Sequence, residues 1–298
     1  HGGRFSGAAP DAGEEAAARG VEEIIARQGR AIADTHDISD WDQARALVDA
    51  AVGTFGRLDI VVNNAGIVQF RTIAEEAAES WARTLAVNLG GTAALTHWAA
   101  AHWRARGPDG GRSIINTSSP AGTNPLSGCA AYCASKAGVA ALTISSAAEL
   151  ADLGVRVNAI APIARTRLID DVPAFGDHVI APVSGFDKLS PDHAAQLVTY
   201  LASPLCRVTG RVFGIDGDDL YLFNGFSAEG HWNNGGKEWI PETLAEALSG
   251  ADLQDRALII APSTYVRIPQ PGDDVLAALA AAERGEPVRL APLLYKQQ

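Results

Sequence analysis

The stretch RSIINTSSPAGTNPLSGCAAYCASKAGVAALTISSAAELADLGVRVNAIAP, residues 112–162, decides the fold. It opens on a short apolar run over 112–119 and passes through a turn rich in Pro, Gly, Asn and Ser. An alanine-rich helical segment follows over 129–152, and a second apolar run closes it over 155–162. Strand, helix, strand is a crossover, and crossovers join parallel strands.

The same alternation continues on both sides. LDIVVNN (58–64) is a near-continuous apolar run, as expected of a strand buried on both faces, and a long helical pattern over about 77–106 links it to residue 112. Upstream, 14–29 reads as a helix ended by Gly29, followed by a short strand RAIADT (30–35). Ser39 offers an N-cap with Asp42 three residues on. Behind it Ala44, Leu47, Val48, Ala51 and Phe55 recur at helical intervals up to Gly56. Downstream, a loop-like stretch (163–189) leads to a helix opened by Ser190 and Pro191, then the strand TGRVFGID (209–216). The sum is α/β: a doubly wound parallel sheet with helices on both faces. From about 225 the composition shifts to Gly, Asn and Trp, with a short helix expected in IPETLAEAL and a strand in ALIIAPS. We expect a main domain over 1–224 and a C-terminal extension over 225–298.

Composition narrows the function. Of 298 residues, 47% are hydrophobic and 20% charged, an ordinary globular balance. A net charge of -11 argues against a nucleic-acid groove or an anionic membrane surface. No apolar run approaches the ~20 residues of a membrane span. Three cysteines, Cys129, Cys133 and Cys206, make no disulfide framework and point to a reducing, cytoplasmic setting. Cys129 and Cys133 stand i,i+4 without a histidine pair or second cysteine pair, so they read as small core residues and no metal is expected. The chain opens in mid-loop, HGGRFSG, without an initiator methionine, and is read as lacking its true N-terminus.

Chemistry enters at Tyr132 and Lys136. Only four of the 24 basic residues are lysines (Lys136, Lys188, Lys237 and Lys296), and one falls a helical turn after a tyrosine. At i,i+4 the two side chains share a helix face, about 5–6 Å apart. A phenol with pKa near ~10 becomes a base near neutrality if lowered by about 3 units, roughly 4 kcal/mol. A unit charge at ~4 Å with an effective dielectric of ~20 supplies about that much. Alone, the spacing is also what an accidental helical pair produces.

The pair has company: NTSS (116–119), NNAG (63–66), VNLGG (87–91) and NAIAP (158–162). With these motifs in order over about 14–217, the sequence resembles the short-chain dehydrogenase/reductase family. The resemblance implies a Rossmann-like fold and hydride transfer between NAD or NADP and a secondary alcohol or ketone. It implies that Tyr132 exchanges a proton with the substrate oxygen, Ser119 hydrogen-bonds that oxygen, Lys136 lowers the tyrosine pKa and holds the cofactor ribose, and Asn88 anchors a water linking Lys136 to solvent. Taken singly, Ser119 reads as a turn serine and Asn88 as a helix-surface amide.

On the cofactor side the matches are Asn63, Asn64, Ala65 and Gly66, where backbone passes close to the dinucleotide. Asp37 matches the residue that meets the adenine, although a turn-forming aspartate reads equally well there. Pro162 and Thr166 match the segment beside the nicotinamide. Ile163 stands where the family has glycine, and Thr166 falls one residue early. NAIAPIARTRL and GGRFSG are more similar to the branch with the 3-hydroxyacyl-CoA dehydrogenase domains of multifunctional β-oxidation enzymes. That branch implies NAD rather than NADP and a hydroxyacyl thioester or similarly bulky substrate under 163–189. The Gly-rich turn after the family's first strand is absent from this sequence, so the first βαβ part is read as missing. The alternatives are an NADPH-dependent keto-reductase and a non-catalytic dinucleotide-binding protein of the same fold. The resemblance also implies a small-molecule substrate and a homo-oligomer, dimer or tetramer, packed through the helices around 86–106 and 129–152.

Overall fold

A computed structural model describes residues 10–166, 185–224, 232–236 and 238–249. The described residues fall into two compact units, one ending at Phe223 and the other beginning at Asn224.

The first unit opens with α1 (Pro10–Ala26), whose stop differs in kind from the expected one. The left-handed residue is Gln28 (φ 63°), while Gly29 donates its N–H to Ile24 O at 2.8 Å. A Cβ at 29 would lie 2.6 Å from Ile24 Cγ2, so glycine is required there for close approach. Residues 30–35 form no strand: 29–37 run without ladder partners. A strand needs a neighbour to take its N–H and C=O groups, and this stretch has none among the described residues.

Helix α2 (Trp41–Phe55) is capped by Asp40 rather than Ser39. The Asp40 carboxylate accepts from Asp42 N at 2.9 Å and Gln43 N at 3.1 Å, while Ser39 is drawn off to Asp37. Gly56 ends the helix in the left-handed conformation, φ 81°.

The sheet order is β1 (Ile60–Asn63), β2 (Ser113–Thr117), β3 (Arg156–Ile163), β4 (Val212–Asp216) and β5 (Asp219–Phe223). The first three pairings are parallel, in registers such as Val61 with Ile114 and Ile114 with Val157. β5 turns back antiparallel to β4 through Gly217, whose φ of 58° suits a two-residue hairpin. This last strand, DLYLF, was not anticipated from the sequence.

Between β1 and β2 runs one long helical rod: α3 (Ala78–Leu85), a π turn (Ala86–Gly90) and α4 (Gly91–Arg106). β2 and β3 are joined by a short helix α5 (Pro120–Thr123) and by α6 (Ala130–Glu149), and α7 (Asp192–Ala202) precedes β4. Side chains alternate across a strand, so each strand feeds two cores. On one face Ile114 and Val157 pack with Ala99 and Trp103 of α4 and Ala147 of α6. On the other Ile115 and Ile160 pack with Leu197 and Leu201 of α7. The sheet is therefore clad on both sides, a Rossmann-like layering.

β1 departs from this. It lies at the sheet edge, and α7 packs against β2, β3 and β4. Val61 faces the α4 core, but Ile60 and Val62 on the opposite face are 43% and 44% exposed. The apolar run 58–64 is thus half-covered among the described residues.

In the second unit, α8 (Pro241–Leu248) starts with Pro241 at its first position, and Thr243 Oγ1 accepts from Ile240 N at 3.1 Å. ALIIAPS and GGRFSG lie outside the described residues.

Candidate active site

The C-terminal ends of β1 and β2 meet the start of α6, and here the sequence motifs converge. β2 ends at Thr117; Ser118 and Ser119 then turn the chain into α5 and α6. Lys136, nearly two turns into α6 and only 4% exposed, extends back under this turn. Its Nζ donates to Thr117 O at 2.7 Å, and Ser118 Oγ donates to Lys136 O at 2.8 Å. Gly122 closes the clasp, since a Cβ there would stand 2.6 Å from the Lys136 carbonyl carbon. Backbone and side chain of Lys136 are thus both anchored by the end of β2.

Tyr132 is half-buried above this lysine, and the Lys136 Nζ lies 5.7 Å from its ring centroid. Its phenol faces the Ser119 hydroxyl, which favours the ionised form. Ser119 Oγ also accepts from Ala121 N at 3.1 Å, which fixes the hydroxyl at the start of α5.

The charge states differ from the simple expectation. Burial pushes the Tyr132 phenol up, the Ser119 hydroxyl pulls it down, and the nearby thiols of Cys129 and Cys133 push it up further. Burial lowers Lys136 to about 8, because an ammonium loses more solvation than a neutral amine. The lysine acts on the face of the ring rather than beside the phenol oxygen, so in this geometry it does not acidify the phenol. Desolvation of both groups outweighs their attraction.

Asn88 is fully buried, not a surface amide. It sits in the π turn, a feature common at functional sites. Its Oδ1 accepts from Ile67 N at 2.8 Å, and its Nδ2 donates to Ile67 O at 2.9 Å and to Ser135 Oγ at 3.0 Å. The Asn88 carbonyl accepts from Thr92 Oγ1 at 2.7 Å. The amide therefore ties the loop after β1 to α6.

That loop carries the cofactor-side matches. Asn64 and Ala65 are exposed, and Thr117 Oγ1 donates to Asn64 Oδ1 at 3.0 Å. A Cβ on Gly66 would lie 3.3 Å from Asn88 Oδ1 and 3.4 Å from Lys136 Nζ, so a side chain there would press on the Asn88 amide and touch the lysine. Beneath them Asn63 Nδ2 donates to Asn116 Oδ1 at 2.8 Å, and Asn116 Nδ2 to Thr143 Oγ1 at 2.9 Å, linking β1, β2 and α6.

Pro162 sits in β3 opposite Ile215, two residues past the β2 pairing that ends at Ile160, so its missing N–H costs no bond on that side. Thr166 is exposed and directly precedes 167–184, so most of the expected substrate-covering segment lies outside the described residues. Asp37 stands apart from the Tyr132 cluster. Its Oδ1 accepts from Ser39 Oγ at 2.7 Å and its Oδ2 from Arg83 at 3.1 Å, and these bonds, the Ser39 hydroxyl first, hold its carboxyl below the usual range.

These residues suit a nicotinamide dinucleotide. The glycine at 66 keeps a cradle open beside a buried ammonium. That ammonium carries three donors, of which Thr117 O takes one. Sequence reasoning missed Ser118, Gly122 and the Asn116–Thr143 bridge, because each acts through a partner distant in the chain.

The sheet is Rossmann-like, with serine, tyrosine and lysine gathered at its strand ends. The model of the short chain dehydrogenase family matches residues 6–170, more than half of the chain. Hydroxyacyl-CoA dehydrogenase ChsB1 of Mycobacterium tuberculosis is 41% identical over 225 residues, 74% of this chain and 70% of that protein. Cyclohexanol dehydrogenase of an Acinetobacter species is 34% identical, over 68% of this chain and 80% of its own. Among solved structures, a short chain dehydrogenase from Mycobacterium avium is similar with a TM-score of 0.66 and 39% identity, over 77% of each chain. The chain belongs to the short-chain dehydrogenase family and is an oxidoreductase acting on CH–OH groups.

Proposed function

We propose that the chain interconverts a secondary alcohol and its ketone, with a 3-hydroxyacyl thioester or similarly bulky molecule as substrate and NAD in preference to NADP. The single observation that carries the reading is the contact of Tyr132 with Ser119 above a buried Lys136. A nicotinamide dinucleotide held beside the Gly66 loop and Lys136 would supply the hydride acceptor or donor for the alcohol carbon.

The protein's own residues handle the proton. In the ketone direction, the Tyr132 O–H donates to the carbonyl oxygen while Ser119 Oγ donates a second hydrogen bond to that oxygen. The phenolate left behind faces the Lys136 ammonium. The ammonium Nζ lies 5.7 Å from the ring centroid, over the face of the ring. In the alcohol direction the same phenolate takes the hydroxyl proton. Asn88 keeps the Gly66 loop seated on α6 through both.

The substrate class is supported by the hydroxyacyl-CoA dehydrogenase named among the relatives, and the preference for NAD follows that branch. A homo-oligomer through α4 and α6 is supported by the apolar positions that α6 leaves exposed, Ala141, Ile144 and Ala148. Among the described residues no helix is long and apolar enough to cross a membrane. A cytoplasmic setting is supported by the three free cysteines. Residues 225–298 are proposed as an extension with a role separate from the dinucleotide site.

The test is reduction of NAD and, in parallel, NADP by a set of 3-hydroxyacyl-CoA thioesters and cyclic secondary alcohols, with Tyr132→Phe beside the parent. Turnover that Phe abolishes, with cofactor affinity kept, is the expected result. A Phe variant with near-normal kcat removes the proton-transfer role.

A further inference from the structure

We propose that Cys129 and Cys133 form a peroxide-oxidisable dithiol whose disulfide disables the site around Tyr132. The two Sγ atoms are 3.6 Å apart, and both thiols are free. Cys133 N donates to Cys129 O at 2.9 Å, so the residues are one helical turn apart. A four-residue rise is about 6 Å, inside the Cα span that a disulfide bridges. The sulfurs need to close by only about 1.5 Å to bond. Cys129 is the N-cap residue of α6, with φ -150° and ψ 48°, so its side chain is not held to helical geometry.

The surroundings make the two thiols unequal. Cys129 Sγ and Cys133 Sγ share a contact in which either can be the donor, and Cys133 Sγ also accepts from Leu126 N at 3.3 Å. Those contacts, the one with Cys129 first, lower the Cys133 thiol, while the same contact with Cys133, together with burial, raises Cys129. An acidified thiol beside a protonated one is the pairing of an attacking and a resolving cysteine. Both side chains are buried, which ordinarily makes a thiol inert. Their cover, however, is the irregular segment 124–128, where Pro125 and Ser127 are exposed and Gly128 turns at φ 85°. Opening such a segment costs far less than global unfolding. Cys206 provides the contrast, packed in the core beneath α7 with no second thiol beside it among the described residues.

The chemistry balances with a hydroperoxide as oxidant. The Cys133 thiolate attacks the O–O bond, which breaks; the sulfur becomes a sulfenic acid and the hydroperoxide leaves as an alcohol or water. Cys129 sulfur then attacks that sulfur, the S–S bond forms, and the sulfenic hydroxyl leaves as water with the Cys129 proton. Two thiols lose two electrons and the hydroperoxide gains them.

Tyr132 lies between the two cysteines in sequence and packs in the same cluster. Pulling the sulfurs together moves the first turn of α6 by an amount comparable to the closure. Displacements near 1 Å at a reacting group lower turnover by up to roughly 100-fold. This effect on turnover rests on the dehydrogenase reading; formation of the bond does not.

The full chain is treated with hydrogen peroxide, and glutathione in the same buffer serves as the accessible-thiol reference. Intact mass, thiol titration, peptide mapping after alkylation, amide exchange over 129–136, and turnover with a 3-hydroxyacyl-CoA are followed. Expected is the loss of two hydrogens, mapped to residues 129 and 133, in the parent and in Cys206→Ser but not in Cys129→Ala or Cys133→Ser. Amide exchange over 129–136 changes, turnover falls roughly 10- to 100-fold, and a dithiol reductant reverses all three. Two thiols that stay titratable while glutathione is consumed, or sulfinic acid without a bond between them, overturn the proposal. A disulfide that leaves exchange over 129–136 unchanged overturns the switch, even if no substrate for turnover is found.

Discussion

The corner where β2 runs into α6 and the run from Gly29 to Asp40 use equally polar residues in opposite ways. At the corner, bonds reach across the chain: Ser118 to Lys136 over 18 residues, Asn88 to Ser135 over 47, Asn63 to Asn116 over 53. In the run before α2 many bonds are local: Asp34 with His36, Asp37 with Ser39, Asp40 with Asp42, each two residues apart. Local bonds survive when a segment moves as a body, whereas long-range ones hold it in place. Proton transfer needs donor and acceptor fixed to fractions of an ångström, and it is placed where the anchors are long-range. The Gly29–Asp40 run also has long-range anchors, Arg30 to Thr54 and Arg83 to Asp37 and Ser39, but they hold it from exposed side chains.

The sharpest way to break this contrast uses the two adjacent serines. Ser119 touches the phenol; Ser118 touches only the backbone of Lys136. Ser119→Ala should lower kcat by roughly 10²–10³-fold, the usual loss for one donor to a developing oxyanion. Ser118→Ala should instead cost about 0.5–1.5 kcal/mol of stability, the net value of one hydrogen bond, with kcat kept within about tenfold. Steady-state kinetics and urea unfolding separate the two. An equal loss of kcat from both would mean that the division between chemistry and anchoring is misplaced.

The buried ammonium gives the next largest effect, and it carries a sign. Lys136 stands at about 8 in the folded chain against an ordinary 10.5. Between those values the unfolded chain holds the extra proton, so stability rises with pH through that window. Below about pH 8 the full cost of burying the charge is present, about 3 kcal/mol. Lys136→Met does not titrate. The parent should therefore gain about 3 kcal/mol relative to that variant from pH 8 to 10.5 in chemical denaturation. A difference that stays flat would show that the ammonium is solvated in the folded protein.

The same contrast explains what was legible beforehand. The alternation of apolar runs and helical periods gave the parallel strands and their helices, because each is a property of a few consecutive residues. Tyr132, Lys136, Ser119 and Asn88 could be picked out because their motifs are also short. The failures were non-local. Residues 30–35 have strand composition, but a strand depends on a neighbour, and none appears among the described residues. Ile60 and Val62 looked doubly buried, but burial depends on what lies across the sheet. The acidified phenol followed from i,i+4 spacing and from the family resemblance, and neither reveals how deeply a lysine is buried.

Two glycines sharpen the comparison at a smaller scale. Gly122 abuts backbone atoms of α6: an added Cβ meets Lys136 C at 2.6 Å and Ala137 N at 2.8 Å. Backbone cannot swing aside as a side chain does, so Gly122→Ala should cost roughly 1–3 kcal/mol. Gly53 lies inside α2 with nothing within 4 Å of an added Cβ. Gly53→Ala should stabilise by about 0.5–1 kcal/mol, since alanine loses less backbone entropy in a helix. Thermal unfolding of the pair checks both signs. A neutral Gly122→Ala would mean that α5 can lift from α6 freely.

The smallest effect belongs to the local region and asks whether its bonds matter individually. Asp40 caps α2 through two N–H groups, whereas Ser39 spends its hydroxyl on Asp37. Asp40→Ala should lower Tm by roughly 2–4 °C, the usual result of losing a helix cap in a chain of this size. Ser39→Ala should lower it less, because Asp37 keeps Arg83 and the Ser39 backbone N–H as partners. If Ser39→Ala proves the more damaging, Ser39 is the cap in solution and the hydrogen bonds of this run exchange partners, which would make the segment before α2 looser still than its local bonding implies.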